Sequence, residues 1–401
     1  MPRRLPEKEF IALMAMLFAT VAFSIDAMLP ALPVIGAEFS PDDLNRVQFV
    51  ITIFMLGMGI GTFVTGPLAD AFGRRRIILS GLVIYAAGTI LAATAVSLEM
   101  VLLGRFLQGL GASGPRVAGL AMVRDLYSGR QMARIVSFVM MVFTLLPAAA
   151  PSIGAGIIAV AGWHGIFGAF LVFALFNAAW LGFRQEETLR PENRRPLSLS
   201  HIWEAIREMA ANRTVVVAIA AQVLALSMLM MTLTSVQQIF EQYFGRGDTF
   251  PLWFGAVALC AGMSSFFNAR VVMRVGMRVM IRGILLVQTV FSAAVLLVFV
   301  TGFLPPMAEF GLFLVWLVSV VMVMALGMGN LNAVAMEPVG RIAGVAASVI
   351  SAVATVGGVL IAIPVGQMFD GTPVPLATGI FLAAAGAYVL VRSQLTGADP
   401  D

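Results

Sequence analysis

Three side chains can do chemistry in places where charge is costly. Asp26 lies in the apolar run "ATVAFSIDAMLPALP", and Arg105 and Arg116 lie in "GRFLQGLGASGPRVAGL". An ionised carboxylate held in hydrocarbon costs about 3 kcal/mol or more, so Asp26 must be protonated, face a wet cavity or be paired. Burial favours the neutral form of a carboxyl group and a nearby cation favours the charged form. A group poised between the two can load and release a proton. A permanent structural pair and a helix-end acid near the outer surface are the plainer alternatives. Arg105 and Arg116 are eleven residues apart, which places them on one helix face roughly 16 Å from each other. Two arginines facing lipid would be very costly, so this face should line a cavity, with Gln108 and Gly109 beside it. Arg105 is otherwise a donor to neighbouring carbonyls. Arg116 either binds an anionic substrate or balances Asp26. Gln237 and Glu241 lie one turn apart in a later apolar run. Glu241 is either a second acid or an outer-surface cap.

These residues need long apolar elements to hold them. The chain has 401 residues, 60% hydrophobic and 11% charged. So few charges cannot cover a soluble surface, so the class is a polytopic membrane protein. Apolar runs broken by Gly, Pro and charge clusters give twelve spans, near 9–35, 45–69, 77–96, 100–123, 133–160, 163–183, 214–243, 251–272, 280–301, 309–334, 342–367 and 375–394. The widest break divides an N-terminal bundle (1–183) from a C-terminal bundle (214–401), with 184–213 as the connection. The single cysteine, Cys260, excludes an internal disulfide. His164 and His201 have no metal-ligand spacing, and no phosphate-binding loop or H-E-x-x-H pattern occurs. No metal, nucleic acid or enzymatic activity is expected. Met140, Met141, Met228, Met230 and Met231 are candidates for an adaptable cavity wall, and His164 beside Trp163 for an interfacial anchor.

The basic residues orient the spans. With both termini inside, inside-facing segments hold 21 of the 25 lysines and arginines, and outside-facing connections hold only Arg46 and Arg246. The start, "MPRRLPEKEFIALMAMLF", imitates a cleaved leader, but Glu7 and Glu9 and the even span count argue for a retained first span.

The sharpest local signal is "GPLADAFGRRRIIL", Gly66–Leu79, between spans 2 and 3. Gly73 permits a tight turn between antiparallel helices. A fainter counterpart, "ARVVMRVGMRV", lies between spans 8 and 9, with Gly276 matching Gly73 and Arg278 matching Arg75. Such a repeat of two six-span halves is a transporter architecture.

The stretch resembles the motif between helices 2 and 3 of the major facilitator superfamily at Gly66, Leu68, Asp70, Gly73, Arg74 and Arg75; Ala71 departs from its usual basic residue. "GRFLQGLGAS" resembles the family's fourth-helix motif at Arg105, Gln108 and Gly109. "PAAAPSIGAG" resembles its antiporter motif at Pro151 and Gly154, with Ala150 and Ala155 replacing two glycines. "IDAMLPALPVI", "VRDLYSGRQMARIVSFVMMVF" and "RIAGVAAS" are similar to the Bcr/CflA group of drug:proton antiporters. The resemblance implies an all-α fold of twelve transmembrane helices in two six-helix bundles. It also implies proton-coupled export of small amphipathic or drug-like compounds, with no cofactor. The other reading is a dedicated transporter of one metabolite, an anionic one given Arg105 and Arg116. Asp26 would carry the proton and Arg105 modulate its release. Asp70 would pair across the halves when the protein opens outward. Arg124 and Asp125 would belong to an intracellular charge network, and Glu337 and Arg341 to a gate pair. Pro147, Pro151 and Gly154 would kink the fifth helix against proton leak. The partners are a small-molecule substrate, protons and the lipid bilayer of a bacterial inner membrane, with no obligate oligomer.

Overall fold

A run of 20 or more apolar residues in lipid must satisfy its backbone internally, and the helix is the local way to do so. The computed structural model describes residues 5–194, 197 and 199–394. Arg3, Arg4 and Arg195, used above for orientation, lie outside the described residues. Among the described residues all regular structure is helical. The chain divides into two compact units, Met1–Asp42 with Ile53–Ile202, and Asp43–Thr52 with Trp203–Asp401.

The first unit holds α1 (Glu7–Asp26), α2 (Leu32–Phe39), most of α3 (Phe49–Phe72), α4 (Arg74–Ala93), α5 (Leu98–Leu126) and α6 (Gly129–Arg184). α7 (Leu199–Ala211) is a short helix in the connection between the expected bundles. The second unit holds α8 (Arg213–Gln238), α9 (Phe250–Val275), α10 (Met277–Thr301), α11 (Pro306–Met336), α12 (Ala343–Gln367) and α13 (Val374–Gln394).

Several boundaries differ from the sequence reading for local reasons. Span 1 is broken right after Asp26: the chain tightens into a three-residue turn at Leu29–Ala31, then resumes as α2, with Pro30 and Pro33 at the joints. α3 passes through Gly66 and Pro67 to Phe72, three residues beyond the expected end of span 2. Spans 5 and 6 run on as α6, divided at Gly162 (φ 64°). Gly73 (φ 106°) and Gly276 (φ 83°) both take positive φ between consecutive helices, as the internal repeat requires.

α5 is the centre of the first unit because its glycines admit other backbones on two sides. A Cβ on Gly111 would lie 2.4 Å from the Gly81 carbonyl oxygen, and one on Gly104 would lie 2.7 Å from that of Gly88. The pairs recur every seven residues along α4 and α5, the spacing that keeps a helix seam in register. Against α3, a Cβ on Gly109 would lie 1.9 Å from the Phe54 carbonyl oxygen. Small residues do this work in lipid, where apolar burial does not drive helices together.

In the second unit, the Asp43–Thr52 segment is held by side-chain amides. Asn45 Nδ2 donates to the carbonyls of Phe369 (2.8 Å) and Gln367 (3.2 Å), and Gln48 Nε2 donates to Gln238 Oε1 (2.6 Å).

Gly109→Ala should destabilise the protein by at least the roughly 1–3 kcal/mol typical of overpacking. Gly156→Ala, with nothing within 4 Å of the added carbon, should be neutral or slightly stabilising. Thermal unfolding of the purified variants in detergent measures both.

Candidate functional site

The glycine contacts bring α5 close to α3 and α4, and beside them α5 carries a fully buried arginine whose donors are met. Arg105 has 0% exposure. Its Nη1 donates to Gln108 Oε1 (2.9 Å) and its Nη2 to the Ser24 carbonyl (3.0 Å). The guanidinium also lies over the Phe54 ring, 4.3 Å from its centroid. Gln108 Nε2 donates onward to Thr89 Oγ1 (2.7 Å), and the Ser24 hydroxyl meets the Tyr85 hydroxyl at 2.6 Å. Three helices, α1, α4 and α5, thus share one buried polar chain, and α3 adds the Phe54 ring beneath it.

Asp26 closes α1 two residues beyond Ser24, at 6% exposure. Among the described residues, its carboxyl group makes no hydrogen bond or ion pair. Arg105 therefore meets the main chain beside Asp26 rather than its carboxylate. α6 approaches the same place: a Cβ on Gly154 would lie 2.2 Å from the Ala27 carbonyl oxygen. Pro151 is buried one turn away, and α6 remains helical through Pro147 and Pro151. Arg116 is half-buried, and the hydrogen bond described for it goes to Met58 Sδ (3.7 Å). No ion pair between Arg116 and Asp26 is described.

The loop motif forms a second site. Arg74 pairs with Asp70, and its Nε donates to Asp125 Oδ2 (3.1 Å). Arg75 donates to the Gly182 carbonyl, while Arg76 and Arg124 are exposed. The residue that sequence reasoning missed is Glu187. Its carboxylate accepts from the backbone N–H groups of Arg74 (2.8 Å) and Arg75 (3.1 Å), which open α4. An anion there satisfies two unpaired donors at the positive end of a helix. Gly73 makes room, since a Cβ would lie 2.4 Å from Glu187 Oε2. Thr188 Oγ1 adds a bond to Asp125 Oδ2 (3.0 Å).

In the second unit, Glu337 and Arg341 do not pair with each other. Glu337 accepts from Arg278 (2.8 Å) and Arg341 donates to Glu208 (3.0 Å); both lie in the tight turned segment Glu337–Ile342, whose helical path is broken at Val339. Gln237 is 5% exposed and leaves Oε1 without a partner, whereas Glu241 is exposed on a wide turn, Ile239–Tyr243. Met228, Met230 and Met231 are buried; Met140 and Met141 are exposed. His164 stacks on Trp163, whose Nε1 donates to Glu38 (2.7 Å).

A helical membrane protein with a polar chain buried in one bundle and a charged loop motif at its edge has the parts of a secondary transporter. The sequence model of the Major Facilitator Superfamily matches residues 13–362, and the chain belongs to that family. Its members are transporters rather than enzymes. The chain is 31% identical over 282 residues to the bicyclomycin resistance protein homolog of Haemophilus influenzae, covering 70% of each. It is 29% identical over 368 residues to the chloramphenicol resistance protein of Pseudomonas aeruginosa, covering 85% of this chain and 78% of that one. The xylose transporter XylE from E. coli, in a partially occluded inward open conformation, superposes with a TM-score of 0.75. That match has 12% identity and covers 98% and 99% of the two chains, a likeness of fold alone.

Glu187→Ala should lower stability by about 1–2 kcal/mol, the usual range for losing a helix N-terminal acceptor. Glu187→Gln should restore much of it, because the amide oxygen can still accept. Thermal unfolding of the two variants beside the natural protein checks this.

Proposed function

We propose that the chain exports small amphipathic or drug-like compounds in exchange for protons, by alternating access, as a monomer in a bacterial inner membrane with both termini in the cytosol. The carrying observation is the solitary Asp26 carboxyl beside the Arg105–Ser24 contact. The names of the resistance relatives support the substrate class.

In this reading Asp26 takes a proton from the outside and is neutral while the helix break is closed to water. Substrate entering from the cytosol opens its surroundings, and the proton leaves inward. Arg105 acts through the α1 backbone: its bond to the Ser24 carbonyl couples movement of α5 to the position of Asp26. Gln108 fixes the guanidinium and Gly154 fits α6 against Ala27. The Asp70–Arg74–Asp125 cluster, with Glu187 behind it, biases the two access states. Arg124 in the first unit and Glu337 and Arg341 in the second contribute further gating charges, and Gln237 and Glu241 are further candidates for the substrate path. No cofactor is needed, since the proton gradient drives the cycle.

A second reading, a dedicated transporter of one anionic metabolite, is favoured by Arg116, whose described hydrogen bond is to a weak sulfur acceptor.

The test is substrate-induced proton release from proteoliposomes carrying a pH dye, with a structurally diverse compound panel. Several unrelated compounds should release protons through the natural protein and none through Asp26→Asn. A response to one chemical class alone would select the dedicated transporter. Full coupling in Asp26→Asn would make that residue structural.

Arg105→Lys keeps the charge but cannot bridge Gln108 and Ser24 with a planar fork. Losing one charged hydrogen bond costs about 1.5–3 kcal/mol, so coupled proton release should fall roughly tenfold or more in the same assay.

A further inference from the structure

α7 is a helix that the transport reading does not use, and it borders an open groove of about 540 Å³ in the second unit. The groove runs between α7, α8 and α12 and is apolar, lined among others by Ile206, Ala210, Val216, Ala220, Val349 and Val353. Its volume falls in the range of small-molecule sites.

α7 sorts its residues by face. Trp203, Ile206, Arg207 and Ala210 follow the i, i+3, i+4, i+7 spacing of one stripe. Ile206 and Ala210 line the groove, so Arg207 and Trp203 flank the groove side. Glu204, three residues before Arg207, and Glu208 fall on the face turned away from Ile206, where Glu208 is taken by Arg341. Trp203 is 62% exposed, and an exposed indole on an amphipathic helix belongs at a bilayer interface.

A second cation lies six residues further along the chain. Arg213 opens α8 and is exposed, and Val216 and Ala220 continue its stripe along the groove wall. No ion pair is described for Arg207 or Arg213. An apolar groove whose bordering helices, α7 and α8, carry two exposed guanidiniums and an exposed tryptophan matches a molecule with one anionic head and an apolar tail.

We infer that this groove binds one anionic phospholipid, its acyl chain against α8 and α12 and its phosphate between Arg207 and Arg213. The zwitterionic lipids of the bilayer fill the same groove more weakly, because their head groups carry a cation that the two arginines repel. The site is separate from the Asp26–Arg105 chain, and its test does not depend on transport.

The full chain, purified in detergent, is titrated with phosphatidylglycerol or with phosphatidylcholine of the same acyl chains, and bound lipid is counted by native mass spectrometry. The natural protein should hold one phosphatidylglycerol at least tenfold more tightly than phosphatidylcholine. Each of Arg207→Gln and Arg213→Gln should weaken phosphatidylglycerol about fivefold. The double lysine variant should keep the preference. Ala220→Phe, which fills the groove, should weaken both lipids. Equal binding of the two lipids, a preference that survives the double glutamine variant, or unchanged binding in Ala220→Phe would each overturn the proposal. Both arginines are exposed, so their variants should fold as the natural protein does, and the elution profile verifies that.

Discussion

A guanidinium buried in a bilayer-spanning bundle must be given acceptors by its neighbours, and Arg105 depends on this throughout its surroundings. Its acceptors come from α1 and α5 and its aromatic platform from α3. α5 presents glycine to α3 and to α4, which brings both backbones close beside it. The same close packing brings Tyr85 onto Ser24 and Thr89 onto Gln108. One costly charge therefore explains the small residues, the polar residues and the register of three helix contacts in the first unit.

Asp26 shows the opposite solution. Among the described residues it has no hydrogen-bond donor or cation of its own, and it lies where α1 breaks into the turn before α2. A carboxyl group in that position is stable when neutral and becomes stable when charged only if water or a cation arrives. That conditional stability is the property on which proton exchange rests. The loop motif works differently, with its central charges already committed: Arg74 to Asp70 and Asp125, and the start of α4 to Glu187.

What the sequence made legible was local. Gly73 and Gly276 were readable as turns because a single residue type meets the conformational demand. The spans were readable because lipid demands a long apolar run. Arg105 was readable as inward-facing because the outward alternative is so costly. What stayed hidden was non-local. Nothing near Glu187 marks it as the cap of a helix that begins 113 residues earlier. Ser24 and Tyr85 are ordinary residues until their helices pack. Glu337 and Arg341 are close in sequence, yet each pairs with a distant partner. The break after Asp26 had a visible cause in Pro30 and Pro33, although the apolar run masked it.

The most direct test of the central claim is to observe the Asp26 carboxyl group itself. Infrared difference spectra of the protein in lipid, recorded with and without a transported compound, report the carbonyl stretch of a protonated carboxylic acid. The account predicts a protonated-carboxyl band that is lost when substrate binds, with a carboxylate band gained, and both signals absent from Asp26→Asn. A spectrum with no carboxyl change on substrate binding, or the same change in Asp26→Asn, would contradict it.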